Sequence, residues 1–207
     1  MLISVIIPTY NEADNIEKLL KRLTQMTTSI ATEIIVVDGG SEDDTVKIAE
    51  IFDVSVYKSP RKGRAAQMNF GVKQSKGDIL QFVHADTLPP FSNFEDISSA
   101  VKNGYSVGCF TYSFDSKHPL LRINSFFTRF DKIWCRGGDQ AIFVTRKVFD
   151  EVGGYRDDYL IMEDFDFIKK VQSKHPFKIV KNNCIVSARK YQNNSYLKVQ
   201  LANLKIF

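Results

Sequence analysis

Short apolar runs recur through the first half of the chain, and they limit the folds that it can adopt. The runs cover residues 2–7, 33–37, 54–57 and 78–83, and several are apolar at consecutive rather than alternate positions. Consecutive apolar residues are typical of strands that are covered on both faces, as in a parallel sheet packed between helices. The runs therefore predict four strands of one mostly parallel sheet.

Helical patterns separate these strands. The first pattern has apolar residues at the spacing of an amphipathic helix: Ile16, Leu19, Leu20, Leu23 and Met26. Ser41 and Asp44 match the capping box that starts a second helix, and a third helix is predicted over residues 64–73. Alternating strands and helices favour right-handed crossovers, and they predict an α/β fold that resembles the Rossmann fold, with helices on both faces of the sheet.

The second half of the chain is less regular. Helices are predicted over residues 91–103 and 164–173 and from about residue 195, and strands over residues 107–114 and 141–145 and near Ile179 and Ile185. No internal repeat, linker or low-complexity segment interrupts the sequence. We therefore expect one domain over residues 1–207.

The composition is that of a globular protein, with 43% hydrophobic and 25% charged residues. A net charge of +4 suits a small anionic ligand but not nucleic acid, which requires a dense basic stripe. Three widely spaced cysteines fit neither a zinc site nor a disulfide framework and indicate a reducing compartment. No signal peptide or membrane-spanning stretch is recognisable. We expect a cytoplasmic protein that is at most peripheral to the inner face of the membrane.

Polar clusters follow three of the predicted strands. They are Pro8-Thr9-Tyr10-Asn11-Glu12, Asp38-Gly39-Gly40-Ser41 and His84-Ala85-Asp86. Ligands of an open parallel sheet bind beyond the carboxyl ends of the strands, where loops and helix N-termini converge. One such cluster could be an ordinary helix cap, but three clusters on neighbouring strands predict a single binding crevice.

With these clusters the chain resembles the family 2 glycosyltransferases, which have the GT-A fold. The resemblance runs from residue 3 to about residue 190 and rests on residues 5–12, 33–38, 84–86, 153–155 and 163–164. It is closest to a small bacterial subgroup in which His-Ala-Asp replaces the Asp-x-Asp motif. It implies transfer of a sugar from a nucleoside diphosphate, UDP in preference, to an acceptor hydroxyl with inversion. The nucleotide-binding half would extend to about residue 110 and the acceptor half over residues 111–207.

The resemblance also assigns residues to the nucleotide. These residues are Pro8, Thr9, Tyr10, Glu12, Asp38, Arg64, Ala85 and Asp86. Asp38 would accept a hydrogen bond from uracil or ribose, and the alternative is a turn residue before two glycines. Arg64 opens a helix next to Arg61 and Lys62, which suits a phosphate but is also compatible with a solvated charged run.

The family's Asp-x-Asp pair binds a divalent cation on the diphosphate, and His84 and Asp86 stand at this position. Asp86 can still bind Mg²⁺, which commonly uses one or two carboxylates together with phosphate oxygens. The histidine either shifts the preference toward Mn²⁺ or contacts only the sugar or the phosphate. The alternative is a structural hydrogen bond between His84 and Asp86.

Glu163 and Asp164 would open a helix, and the resemblance makes Asp164 the general base for the acceptor hydroxyl. A carboxylate at a helix N-terminus is also stabilised by the helix dipole, and we expect the dipole to lower its pKa. The resemblance further places Asp139, Gln140 and Glu163 at the sugar or acceptor, and Ser187 and Arg189 at the diphosphate. For Asp139 and Gln140 the alternative is a turn before the next strand.

Ile123, Phe126, Phe127, Phe130, Ile133 and Trp134 form an aromatic stripe. Its first interpretation is protein core or a homodimer surface, but Arg122, Arg129 and Lys132 beside it leave contact with lipid open. Two alternatives to a transferase also stay open. One is a nucleotide-sugar binding module without turnover, and the other is a nucleotidyltransferase, which would need a basic glycine-rich loop where Thr9-Tyr10-Asn11-Glu12 stands.

Overall fold

The computed structural model describes residues 1–159, 161–192 and 194–204, with side chains except those of Trp134 and residues 201–204. In this part of the chain, eight strands form one sheet in the order β3-β2-β1-β4-β7-β6-β8-β5. The strands are β1 Leu2–Thr9, β2 Ala31–Asp38, β3 Ser55–Lys58, β4 Ile79–Phe82, β5 Thr87–Leu88, β6 Val107–Phe114, β7 Phe143–Thr145 and β8 Phe177–Val186.

The helices that the structure describes are α1 Ala13–Thr24, α2 Thr45–Ala49, α3 Arg64–Gln74, α4 Asn93–Lys102, α5 Pro119–Phe127, α6 Arg146–Val152, α7 Glu163–Gln172, α8 Arg189–Gln192 and α9 Tyr196–Leu204. Two 3₁₀ turns, Ile133–Cys135 and Gly138–Gln140, lie between α5 and β7. The predicted parallel half and its helices are confirmed, because β1, β2, β3 and β4 pair in parallel.

Both faces of the sheet are covered, as the consecutive apolar runs predicted. In β1, Ile3, Val5 and Ile7 pack into the core formed with α1 and α4, while Ile6 faces the core formed with α3, α6 and α7. All four side chains are fully buried. Burial on both faces explains why this strand has no polar-apolar alternation.

The strand directions place one functional edge on the sheet. Strand β7 is antiparallel to both β4 and β6, so β6 runs parallel to β4, and β8 runs parallel to β6. The carboxyl ends of β1, β2, β4, β6 and β8 therefore lie on the same edge. Polar residues that follow these five strands meet there.

Two local predictions were wrong, and one helix was missed. Ser41 does not cap α2, which begins at Thr45 without a side-chain cap, because the Ser41 hydroxyl donates to Asp38 instead. The strands predicted near residues 179 and 185 are one strand, β8, which continues across an irregularity in its register with β6. Helix α6 was not predicted, since its seven residues are too few for a clear period.

Candidate active site

A cleft of about 840 Å³ opens at the carboxyl edge of the sheet. Among its lining residues are thirteen that the sequence assigned to the site: Pro8, Thr9, Tyr10, Glu12, Arg64, His84, Ala85, Asp86, Asp139, Glu163, Asp164, Ser187 and Arg189. They come from the ends of β1, β4 and β8, the first turns of α3, α7 and α8, and the second 3₁₀ turn. The predicted crevice therefore exists, and it brings these residues together.

Asp38 does not line this cleft. Its buried carboxylate accepts hydrogen bonds from the backbone N–H groups of Gly40 at 2.8 Å and Ser41 at 2.9 Å, and from the Ser41 hydroxyl. These contacts close the turn after β2, which was the alternative interpretation of Asp38. The turn therefore accounts for the position of Asp38 without a nucleotide. Direct contact between Asp38 and a nucleotide stays a prediction.

Two buried glutamines brace the walls of the cleft. Gln67 lines the cleft, and its Nε2 atom donates to the carbonyl oxygens of Thr9 and Val37, each at 2.7 Å, so α3 ties together the ends of β1 and β2. Gln140 does not line the cleft; it accepts from the Gly137 N–H at 3.1 Å and donates to the Phe110 carbonyl at 3.2 Å. Gln67 was not identified from the sequence. The signal that could have revealed it is a glutamine on the sheet side of an otherwise apolar helix face.

His84 sits between two carboxylates. Its Nδ1 atom lies 3.2 Å from Asp139 Oδ1, and its Nε2 atom lies 3.7 Å from Asp164 Oδ2. Burial disfavours the imidazolium, but the hydrogen bond with Asp139 and the charge of Asp164 outweigh this effect and raise the pKa of His84 above its usual value. His84 therefore lies in a negative environment that favours a cation.

Asp86 belongs to the same electronegative group. Donor atoms of His84, Asp86 and Asp139 all lie within 4.8 Å of one another, which is a geometry that can hold a metal ion. Burial, together with the nearby charge of Asp139, raises the pKa of Asp86. Arg189 lies 3.6 Å from Asp86 Oδ2 and also pairs with Glu12, so one guanidinium partly balances two carboxylates.

Asp164 occupies the first turn of α7 and points into the cleft. Its Oδ1 atom is buried and has no hydrogen-bond partner. Burial raises the pKa of Asp164 to about 6, with the negative charge of Glu163 adding to the effect and His84 opposing it. The expectation that the helix dipole would lower this pKa was wrong, because loss of hydration outweighs the dipole at a site this enclosed.

Glu163 is as deeply buried as the residues of the core. Its Oε1 atom lies 3.0 Å from Arg64 Nε, and the carboxylate has no conventional hydrogen bond. Arg64 itself is half exposed at the start of α3. The pair joins the N-termini of α3 and α7 across the cleft and leaves most of the Glu163 lone pairs open to a polar ligand.

Gly138 is required for this arrangement. A Cβ atom at this position would lie 2.1 Å from Asp164 Oδ2, 2.4 Å from His84 Cε1 and 2.7 Å from His84 Nε2. Such approaches are far inside van der Waals contact, so any larger residue would displace the histidine and the aspartate. The sequence alone assigned no role to Gly138 itself.

An aromatic wall completes the side of the cleft formed by the second half of the chain. It consists of Tyr112 and Phe114 from β6 and Tyr191 from α8, with ring centroids 5.2 Å apart for the first pair and 5.4 Å for Phe114 and Tyr191. No local pattern in the sequence indicated this wall, because its residues are separated by most of the second half of the chain. It offers flat apolar faces on which a sugar or another ring can stack.

The comparison with protein families identifies this arrangement. The family model of glycosyl transferase family 2 matches residues 4–156, which is more than half of the chain. The chain belongs to glycosyl transferase family 2. The match contains most of β1, all of β2, β4 and the second 3₁₀ turn, and it ends before Glu163 and Asp164.

The chain is also similar to individual members of the family. It is 40% identical over 94 residues to glycosyltransferase AglE of Haloferax volcanii, an alignment that covers 42% of this chain and 31% of AglE. It spans between 31% and 66% of the length of three curated relatives, a dolichol-phosphate mannosyltransferase of Pyrococcus furiosus among them.

Two solved structures have the same fold. TarS of S. aureus in complex with UDP-GlcNAc superposes with a TM-score of 0.75 at 20% identity, covering 91% of this chain and 59% of that one. The mannosyltransferase PcManGT from Pyrobaculum calidifontis, in complex with GDP-Man and Mn²⁺, gives a TM-score of 0.66 at 22% identity and covers 88% and 56%. The architecture is therefore the GT-A fold, as predicted.

Proposed function

We propose that this family 2 member transfers a sugar from a UDP-sugar to an acceptor hydroxyl, with inversion at the anomeric carbon and with the help of a divalent cation. One observation carries the proposal: two carboxylates with different surroundings share one cleft. Asp86 lies in a cluster suited to a cation, whereas Asp164 is enclosed, lacks a hydrogen-bond partner at Oδ1 and has a raised pKa. Glycosyl transfer needs both environments, one for the diphosphate and one for the acceptor.

The nucleotide would bind at the end of β1. Tyr10 is half exposed at this end of the cleft, with Lys62 Nζ 5.9 Å from its ring centroid, and it offers a stacking face for the base. Pro8, Thr9 and Ala85 line the floor below it, and Arg64 supplies positive charge at a helix N-terminus. Asp38 would hold the turn beside the base in place. It would also accept a hydrogen bond directly from uracil.

The donor group near Asp86 fits a divalent cation. Asp86 and Asp139 supply carboxylate oxygens and His84 an imidazole nitrogen, a mixed set that suits Mn²⁺ and also accommodates Mg²⁺. Support also comes from PcManGT, whose complex contains Mn²⁺. When bound, such a cation would offset the negative charge on the leaving diphosphate. Arg189 and Ser187, which line the same region, would contact the diphosphate directly.

Asp164 would act on the acceptor. A general base works best when its pKa is close to the working pH, and the enclosure of Asp164 moves its pKa in that direction. Its unpartnered Oδ1 atom can accept the proton of an acceptor hydroxyl. Glu163 and Asp139 would orient the transferred sugar or the acceptor through its hydroxyl groups. Gln140 would act through the 3₁₀ turn that carries Asp139.

The UDP preference is tested by thermal unfolding of the protein with UDP-, GDP- and dTDP-sugars, with and without Mn²⁺. A ligand at a hundred times its dissociation constant adds about 2.7 kcal/mol to the stability of the native state. We expect the largest increase in melting temperature with a UDP-sugar together with Mn²⁺. Equal or larger increases with GDP-sugars would refute the UDP assignment, and increases independent of the metal would refute the role of Asp86.

Turnover separates a transferase from a binding module. Family 2 membership already argues against the nucleotidyltransferase alternative. Release of UDP from the preferred donor, measured without an added acceptor, should proceed slowly with water as the acceptor. A donor that binds tightly but releases no UDP, with either water or a panel of sugar acceptors, would favour the non-catalytic binding module.

The setting of the reaction is part of the proposal. Cys109, Cys135 and Cys184 are free thiols, and Cys109 and Cys184 are buried, which is compatible with the cytoplasm. Within the described residues, no helix has the length and apolarity needed to cross a membrane.

A further inference from the structure

Helix α5 presents apolar side chains to solvent. Leu121 is the one large apolar residue of α5 that is buried, while Leu120, Ile123, Phe126 and Phe127 are exposed. With Phe130, these form what we call the α5 patch: Leu120, Ile123, Phe126, Phe127 and Phe130. The patch holds five of the twelve large exposed hydrophobic residues of the described chain. Such a concentration is typical of an interaction surface.

The aromatic part of the patch is a defined structure. The rings of Phe126 and Phe130 lie 5.4 Å apart, and Phe127 is 6.1 Å from each of them. Arg136 holds the turn that follows the helix from below, because its buried guanidinium donates to the Thr128 carbonyl at 3.0 Å and to the Phe130 carbonyl. The buried Arg136 thus holds the backbone of the turn in place from the inner side, while the Phe130 ring is exposed on the outer side.

Basic residues flank the patch along the chain. Residues 117–132 contain four basic side chains, Lys117, Arg122, Arg129 and Lys132, and one acidic side chain, Asp131. Asp131 lies 3.9 Å from the guanidinium of Arg136, so its charge is partly balanced from within the protein. This segment of sixteen residues therefore carries most of the net charge of +4 of the chain.

The patch adjoins the cleft. Asn124 and Thr128 line the cleft, and so does Phe127, which also belongs to the patch, so the patch and the wall of the cleft meet at α5. Asn124 also accepts a hydrogen bond from the Tyr196 hydroxyl at 2.9 Å, which connects α5 to the C-terminal helix α9. Whatever covers the patch is placed next to the acceptor side of the cleft.

We propose that the α5 patch docks the protein on an anionic lipid membrane. Aromatic and aliphatic residues flanked by arginine and lysine match the interface of a bilayer, where apolar side chains enter the acyl boundary and basic ones meet the phosphates. Symmetric pairing with a second copy would oppose the same positive charges, which disfavours a homodimer through this face. The membrane then presents acceptors at the mouth of the cleft.

The test is co-sedimentation with vesicles of phosphatidylcholine alone and with 30% phosphatidylglycerol. The expected result is binding to the anionic vesicles that weakens at high salt. The double variant Arg122→Glu/Arg129→Glu should bind at least about 25-fold more weakly, since each basic residue near such a surface contributes about fivefold. Phe126→Ser/Phe130→Ser should reduce binding at least about tenfold through lost apolar burial.

The matched control is Arg22→Glu/Phe91→Ser. Phe91 is another exposed phenylalanine with an arginine over its ring, 4.1 Å from the Arg22 guanidinium, but it stands outside the patch. This variant should bind vesicles like the wild type. Vesicle binding that falls equally in the control would refute the proposal, as would the absence of binding to anionic vesicles.

Light scattering and nucleotide binding complete the design. A dimer in solution that Phe126→Ser/Phe130→Ser dissociates, without vesicle binding by the wild type, would assign the patch to a second copy and overturn the proposal. Donor-induced stabilisation should be unchanged in the patch variants, because none of their residues lines the cleft. Vesicle binding is measured without a donor, so its outcome is separate from that of the proposed transfer reaction.

Discussion

Replacing Asp164 with asparagine separates catalysis from stability. The pKa of Asp164 is raised from its usual 3.8 to about 6, so the folded protein holds its proton more tightly than the unfolded chain does. The ionised carboxylate therefore destabilises the fold, by little below about pH 4, by an amount that grows as the pH rises to about 6, and by a nearly constant amount at higher pH. This rise in the pKa of Asp164 corresponds to a loss of about 3 kcal/mol in the free energy of unfolding at pH 8. The neutral amide of Asp164→Asn lacks this penalty, so the variant should be more stable than the wild type at pH 8, by up to about 3 kcal/mol.

The catalytic effect should have the opposite sign. Loss of a positioned base lowers the rate by about 10²–10⁴, whereas donor binding should stay within a few-fold. For the wild type, the rate of UDP release should fall as the pH drops through about 6, because protonated Asp164 cannot accept a proton. Denaturant unfolding at pH 8 and single-turnover UDP release on the same preparations measure both effects.

Asp166→Asn is the matched control for this experiment. Asp166 lies in the same turn of α7 and pairs with Lys170 at 2.7 Å, but it does not line the cleft. It should lose at most about 1 kcal/mol of stability and keep its rate. If Asp164→Asn is less stable than the wild type at pH 8 and releases UDP normally, Asp164 is a structural helix-terminal carboxylate, and the reasoning above is refuted.

Three further substitutions test other parts of the site. Asp86→Asn should abolish the effect of Mn²⁺ on UDP binding in calorimetry, and an unchanged metal effect would remove Asp86 from the metal site. Gly138→Ala should reduce UDP release at least tenfold with donor affinity retained, because the new methyl group displaces His84 and Asp164; near-normal release would contradict the clash. Asp38→Ala should lower stability by about 2–4 kcal/mol through the open turn. UDP affinity unchanged in folded Asp38→Ala would exclude direct contact with the base.

The parallel half of the fold could be predicted because its information is local. Val5, Ile6 and Ile7 lie in a strand that is buried on both faces, and this strand precedes α1, a helix with a clear apolar period. The other half depends on pairing between distant segments. Strand β7 of three residues inserts antiparallel between β4 and β6, and nothing near Phe143 in the sequence indicates these partners.

The sequence alone determined which chemical groups reach the carboxyl edge of the sheet, because chain direction carries the residue after each parallel strand to that edge. Thr9, His84 and Asp86 were placed in this way. Only the tertiary structure decided what those groups can do. In the folded protein the Asp38 carboxylate accepts a hydrogen bond within its own loop, and Asp164 is enclosed deeply enough to raise its pKa to about 6. Hydration and hydrogen bonding depend on every neighbour in space, and most neighbours of a site residue are remote in the chain.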